Sequence, residues 1–469
     1  MQIPILNGIY SDFNANLRIS YPKNMFPVPK NSGVSEGYLR PAYGIVPWNT
    51  NCSGICRGAI NWNGTLYRVM GEYLVRYDKL GVETVIGSVG ADNTPVTMDY
   101  SFDRLAIASA SKFYYYDGVT LTQVTDPDLG IVKDFIWVDG YFMTTDGEFL
   151  VITELNNPEQ VDPLKYGSSE VDPDPIVAIK KLINEPYAIN RYSIESFDNV
   201  GGSGFPFRRI DGAKINRGAI GTHACCIYGS DSIAFLGGGR NESTAIWLAA
   251  GGSSAKLSTH EIDIIISQYS EEVLSQVELE SVYDNNHLFL LIHLPDKTLV
   301  YDQSASSTIG EPAWHILSST AFGENKYRAR HFTRYYNKWI VGDTESNSIG
   351  YIDKSISTHW GEDIGWEFST VILYNMNNSA IFHSLELTAL TGRSEYGINP
   401  VIWTSYSKDG LTWSQERPIQ VGKRGNYDKR IIWFNQGVLD TMRIQKFRGL
   451  SDSFLSILRL EANLEALIY

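Results

Sequence analysis

The chain has 469 residues, 43% hydrophobic, 12% aromatic and only 20% charged, with a formal net charge of −14 at pH 7. Its length points to about two to three domains, and 28 Tyr, 11 Trp and 41 Gly favour many short strands joined by tight turns. The acidic balance argues against a protein that grips nucleic acid through its phosphates, and without an apolar run of ~18 residues no membrane insertion is expected.

Residues 1–54 read as an extended N-terminal arm. The opening "MQIPILNGIYSDF" has neither a basic start nor a long apolar run, so no signal peptide is expected. Four prolines from Pro22 to Pro41 are expected to forbid a continuous ladder, leaving the arm held by its aromatic residues.

From 55 to 370 the chain becomes a rhythm of short β runs and turn dipeptides. "AINWNGTLYRVMGEYLVRYD" (59–78) carries Asn63-Gly64, the type I′ hairpin pair. "DYSFDRLAIASASKFYYYDG" (99–118), "DFIWVDGYFMTTDGEFLVI" (134–152), "VYDNNHLFLLIHLPDKTLVYD" (282–302) and "HFTRYYNKWIVGDTESNSIGYID" (331–353) repeat it. Degenerate hairpins that cannot bury their own faces are the sequence form of a β-propeller, with a stacked β-sandwich as the alternative. One segment breaks the rhythm: "LSTHEIDIIISQYSEEV" (257–273) spaces Ile262, Ile265, Ile266 and Tyr269 helically after Ser258-x-x-Glu261, which predicts one amphipathic helix. From 371 to 469 the runs lengthen and alternate, as in "SLELTALTG" and "VIWTSYSKDGLTWS", predicting a β-sandwich. The fold class is therefore mostly β: a propeller with an N-terminal extended arm and a C-terminal sandwich.

Chemistry is sparse. Cys52 and Cys56, with the adjacent Cys225 and Cys226, match no common zinc spacing, so reduced thiols and cytoplasmic folding are expected. The eight histidines are scattered, and His287 and His293 sit about 20 Å apart along one strand, too far for one metal. The glycine-rich "NVGGSGFPFRR" (199–209) and "LGGGRNEST" (236–244) lack the Gly-Lys-Ser/Thr ending of a phosphate cradle, and no nucleophile elbow is found. No catalytic residue, cofactor or metal is expected.

Two features of the last domain stand out. Residues 417–448 carry Arg417, Lys423, Arg424, Lys429, Arg430, Arg443, Lys446 and Arg448 against Asp428 and Asp440, a net of +6 that leaves −20 for the rest of the chain. This segment is a candidate interface for an acidic partner. "SKDGLTW" (407–413) resembles the Asp-box of sialidases, one residue short of the usual spacing, and Asp409, Gly410 and Trp413 are read as a structural turn. Trp403 and Trp413 share strand parity, which keeps a sugar-stacking face open as an alternative.

Several stretches together resemble the tail hub, or nozzle, proteins of short-tailed bacteriophages, known as packaged DNA stabilisation proteins. They are "YPKNMFPVP" with "SEGYLRPAYGI" (21–45), "GICRGAINWNGTLYRVMG" (54–71), "IDIIISQYSEEV" (262–273), "LLIHLPDKTLVYD" (290–302) and "YDKRIIWFNQG" (427–437). The similarity runs in order over most of the chain; where the family turn continues with Tyr this chain has Trp413. The resemblance implies a non-catalytic homohexamer of the virion tail, made in the host cytoplasm. It would sit below the portal and the head-tail adaptor, be closed by a needle or plug protein and carry tailspikes. DNA would pass through its channel without sequence-specific binding. The alternative function is a carbohydrate-active or glycan-binding propeller, which needs paired carboxylates and an arginine cluster.

Overall fold

Asn63 and Gly64 both adopt positive φ, 51° and 75°, and the turn folds Cys56–Trp62 onto Thr65–Met70. Asp139-Gly140 does the same between Asp134–Val138 and Tyr141–Thr145. The computed structural model describes residues 2–5, 21–29, 37–375, 378–394, 396–451 and 455–467.

Each hairpin grows into an antiparallel sheet of four or five strands, and seven such sheets follow one another as propeller blades. Blades 1 to 6 span 56–88, 97–123, 134–168, 176–209, 218–256 and 278–317. Blade 7 takes three strands from 329–353 and its fourth, outermost strand from Gly44–Asn49, which pairs with Ile349–Asp353. This non-local pair closes the ring, because the last blade is built from both ends of the propeller segment. Aromatic side chains fill the wedges between blades: Trp62, Tyr67 and Tyr116 join blades 1 and 2, and Phe113, Phe135 and Phe142 join blades 2 and 3.

Two short helices stand where one was expected. His260–Ile266 buries Ile262, Ile265 and Ile266, then the chain breaks and restarts at Glu271–Leu274, whose N-cap Ser270 accepts the Val273 amide. The expected cap also differs: Ser258 bonds Asp263 rather than forming a box with Glu261. A third helix, Gln303–Ile309, was not expected; the Asp302 carboxylate caps the Ser304 and Ala305 amides, and Gly310 ends it at φ 82°.

The arm is corrected too. Met25–Pro29 and Gly37–Pro41 form a paired ladder in spite of their prolines. Pro27, Pro29 and Pro41 fall on one parity of the register, so the Phe26–Arg40 and Val28–Tyr38 pairs between them carry the ladder, and Met25–Pro29 is an edge strand. The stretches 6–20 and 30–36 of the expected arm lie outside the described residues.

These two strands enter the seven-stranded sheet of a β-sandwich, in the order Met25–Pro29, Gly37–Pro41, Ile457–Ala466, Ala380–Ala389, Ile431–Phe434, with two short strands at its margins. The facing five-stranded sheet runs Gly365–Ser369, Met442–Leu450, Val401–Ser407, Arg417–Gln420, with Leu373–Tyr374 beside Met442–Leu450. Phe368, Phe447, Trp433, Phe382 and Leu460 pack between the two sheets.

Candidate functional site

The turn at 407–413 is held by its own side chains. Asp409 Oδ1 accepts the amides of Leu411 and Thr412 at 2.8 and 2.7 Å, its Oδ2 accepts the Thr412 hydroxyl at 2.6 Å, and Ser407 Oγ accepts the Gly410 amide at 2.8 Å. Gly410 has φ 77°. The Thr412 hydroxyl, then the Thr412 and Leu411 amides, hold the Asp409 carboxyl far below the ordinary carboxylate range. A carboxylate fixed as an ion by local donors stabilises a turn and has no proton to donate as a general acid.

The eight basic residues do not share one surface. Lys423, Arg424 and Lys429 project from an exposed loop, Arg417 donates to the Asn435 carbonyl at 2.9 Å, and Arg430 is forked onto Glu386 at 2.9 and 2.7 Å. Lys446 and Arg448 lie on the outer face of the five-stranded sheet. Lys446 sits 4.3 Å from the centre of the Trp413 ring, and Arg448 lies 4.6 Å from that of Trp403 while binding Glu416. Both tryptophans therefore already carry a cation on a face that a sugar would need.

Arg443 corrects the interface expectation. It is fully buried, with Nη1 donating to the Gln436 carbonyl at 2.6 Å and Nε and Nη2 to Gln445 Oε1 at 3.0 and 2.8 Å. Burial lowers its pKa to about 10. Strand alternation explains this, because Arg443 and Gln445 share the core-facing parity of Phe447.

Buried acids inside the propeller each serve a structural bond. Asp134 takes Lys180 Nζ at 2.8 Å, the Thr97 hydroxyl at 2.7 Å and the Ile179 amide at 2.9 Å. Asp343 pairs with Arg328, and Asp302 joins His287 to the helix it caps. His293 is bonded through its two ring nitrogens to Thr298 and Glu280, both at 3.0 Å, apart from His287 and its Asp302. Among the described residues no cluster of His, Cys, Asp or Glu could hold a metal ion. The four thiols are free, and burial pushes Cys225 up to about 12 and Cys52 to about 11, which leaves them unreactive at neutral pH. The glycine-rich stretch at 199–209 closes the last hairpin of blade 4, Val200 donating to the Pro206 carbonyl at 2.8 Å, and the one at 236–244 is a turn tied by Glu242 to Arg217.

Residue reading missed the joint between the domains. Asn24, buried and at φ 50°, donates to the carbonyls of Ser318 (2.9 Å) and Gly365 (2.8 Å) and accepts the Ser318 amide (2.9 Å). On either side Lys23 pairs with Glu367 and Asn24 with Ile316 through backbone bonds. Thus residues 22–24 stitch the outer strand of blade 6 to the first sandwich strand. The positive-φ preference of Asn was the available signal, but its partners lie about 300 residues away in sequence, beyond any local pattern.

Comparison with known proteins agrees with this two-part build. The family profile described as "Bacteriophage P22 Gp10, beta-propeller" matches residues 1–357, and that described as "Bacteriophage P22 Gp10, beta-sandwich" matches 365–465. The tail hub protein gp10 of Salmonella phage P22 is 27% identical over 486 aligned positions, covering 99% of each chain. Among solved structures, PorZ of the Porphyromonas gingivalis type-IX secretion system matches with TM-score 0.38 at 13% identity, over 65% of this chain and 39% of its own. The N-terminal domain of Nup159 gives TM-score 0.40 at 8% identity, over 71% of this chain and 98% of its own. With both profiles matched in order along its length, the chain belongs to the bacteriophage P22 Gp10 family.

Proposed function

We propose that the chain is a structural subunit of a phage tail hub, or nozzle, which assembles as a ring below the portal and head-tail adaptor and forms the channel for DNA ejection. One observation carries this reading: the relation to a tail hub protein extends over 99% of both chains, so arm, propeller and sandwich are all represented. In this reading six copies retain the packaged DNA behind a needle or plug protein and carry tailspikes on their flanks. The subunit is non-enzymatic and belongs to the virion tail after synthesis in the host cytoplasm.

Two features of the molecule support the reading. Asp134 on the innermost strand of blade 3 is bonded to Thr97 and Lys180 on the innermost strands of blades 2 and 4, so these strands pack together, and in this reading the duplex passes between subunits and not along one propeller axis. The −20 balance outside 417–448 supplies acids for the bore. An acidic wall repels phosphates over only ~8 Å at ~0.15 M salt, which keeps a narrow passage from sticking to DNA. The test is particle assembly: phage made without this chain should fill heads, fail to complete tails and lose their DNA. Stable, DNA-retaining particles lacking the protein would refute the reading, as would glycosidase turnover by the purified chain.

A further inference from the structure

Among the described residues, unpaired basic and acidic side chains gather on two separate parts of the molecule. One exposed projection of the sandwich carries Lys423, Arg424 and Lys429, and none of the three joins an ion pair among the described residues. The projection is held in shape: Gly425 donates to the Gly392 carbonyl at 3.0 Å, Asn426 to the Lys423 carbonyl at 3.0 Å, and the Thr391 hydroxyl to the Tyr427 carbonyl at 3.0 Å. Tyr427, in the same loop as the cations, is 68% exposed. Arg and Tyr are enriched at interfaces, and a loop held in shape by its own bonds loses little entropy on docking.

The opposite charge lies on the propeller. Between blades 3 and 4 an open cleft of about 660 Å³ is lined by Asp146, Glu148, Glu170, Asp172 and Asp174 together with Lys133, and Lys214 is paired to Asp172 at 2.8 Å. Glu148 and Glu170 are exposed and join no ion pair among the described residues. The sandwich is fastened to the ring at blades 6 and 7 through Asn24, Gly365 and the strand that closes blade 7, while the cleft lies across the seven-membered ring from that joint. No ion pair among the described residues links the basic loop to the cleft of its own chain.

We propose that the 423–429 loop of one copy docks in the acidic blade 3–4 cleft of the next, as the head-to-tail contact that sets the ring. Two different patches that complement each other make a heterologous contact, which closes into a ring or runs on as a filament, whereas a two-fold dimer needs one self-complementary patch. The inference rests on the ring reading above and names the surfaces that make it.

A charge swap tests it. Lys423→Glu with Arg424→Glu and Lys429→Glu makes both patches acidic; Glu148→Lys with Glu170→Lys makes both basic. Each variant alone should show at least a tenfold loss of rings by native mass spectrometry, with unchanged circular dichroism. An equimolar mixture should restore rings, because each reversed patch then meets its complement on the other variant. Rings from either variant alone at wild-type yield, or a mixture that stays unassembled, would overturn the docking while leaving the ring reading intact. Wild-type protein that forms no ring at any concentration would remove both. If a reversed variant does not fold, the Gln versions replace it, with ring yield weakened and made insensitive to salt as the expected result; wild-type yield and salt dependence would be the contrary one.

Discussion

Arg443 lies over the ring of Tyr406 in the sandwich core, its guanidinium carbon 3.9 Å from the ring centre, with Phe382 of the other sheet 4.3 Å from it on a second ring face. One cation thereby joins the two sheets, and its remaining polarity is met by Gln436 and Gln445. Arg443→Ala leaves a cavity and an unpaired carbonyl and should lower stability by about 2–4 kcal/mol in chemical denaturation. Arg443→Met, which keeps much of the volume, should cost about half as much. An alanine variant as stable as wild type would show that the clamp contributes nothing.

Asn24 makes a second prediction, at the domain joint. Asn24→Ala loses three buried hydrogen bonds and must hold a positive φ without its side chain, for a loss of about 2–4 kcal/mol. Asn24→Gly keeps the backbone freedom and should fall between the two. Limited proteolysis should cut the alanine variant first near 318–325 and 365; an unchanged digestion pattern would contradict the joint.

Asp409 makes a third. Its carboxyl is depressed in the folded state, so its contribution is present above the ordinary Asp pKa of about 3.9 and is lost as pH falls through the folded value. Asp409→Asn should therefore melt below wild type at pH 7 and approach it in strong acid. A constant difference across that range would argue that the carboxylate charge is irrelevant to the turn.

Histidines held below their ordinary pKa set the mild-acid behaviour, above all the buried His315 and His359. Burial lowers His359 to about 3 and His315 to about 4, and also depresses His223. Arg328 faces His359, Asp302 and His287 face His315, and Asp134, Glu278, Lys180 and His331 face His223. His315 and His359 stay neutral in the folded protein over most of this range but protonate near 6.5 when unfolded, so the unfolded state binds more protons below that pH. Stability should fall from pH 6.5 toward pH 4 with a slope of roughly 1.4 kcal/mol per pH unit for each of these two. His359→Gln should flatten the slope; identical slopes would contradict this assignment.

What the sequence made legible was local. Asn63-Gly64 and Asp139-Gly140 encode their turns, and period-two runs encode the strands they join. Ala110-Ser111 turns with the same positive φ values, 50° and 58°, without either signal, because the paired strands on both sides impose it. The closing strand Gly44–Asn49 pairs some 300 residues away with Ile349–Asp353, so nothing near it names its partner. Arg443 was counted as surface charge because composition does not see parity, although Phe447, four residues on, marks its side of the strand as core. The single expected helix failed at Ser267–Ser270, where Ser270 begins a new cap instead of continuing the first helix.

The proposed ring in the tail can be seen or excluded in a cryo-EM map of the intact particle. The map should show a ring of copies of this chain between the head-tail adaptor and the closed tip, with a bore lined by more Asp and Glu than Lys and Arg. A map with the chain as isolated monomers on the particle's outside, or with a ring of arginines clasping DNA inside it, would rule out the proposed ring and its acidic bore.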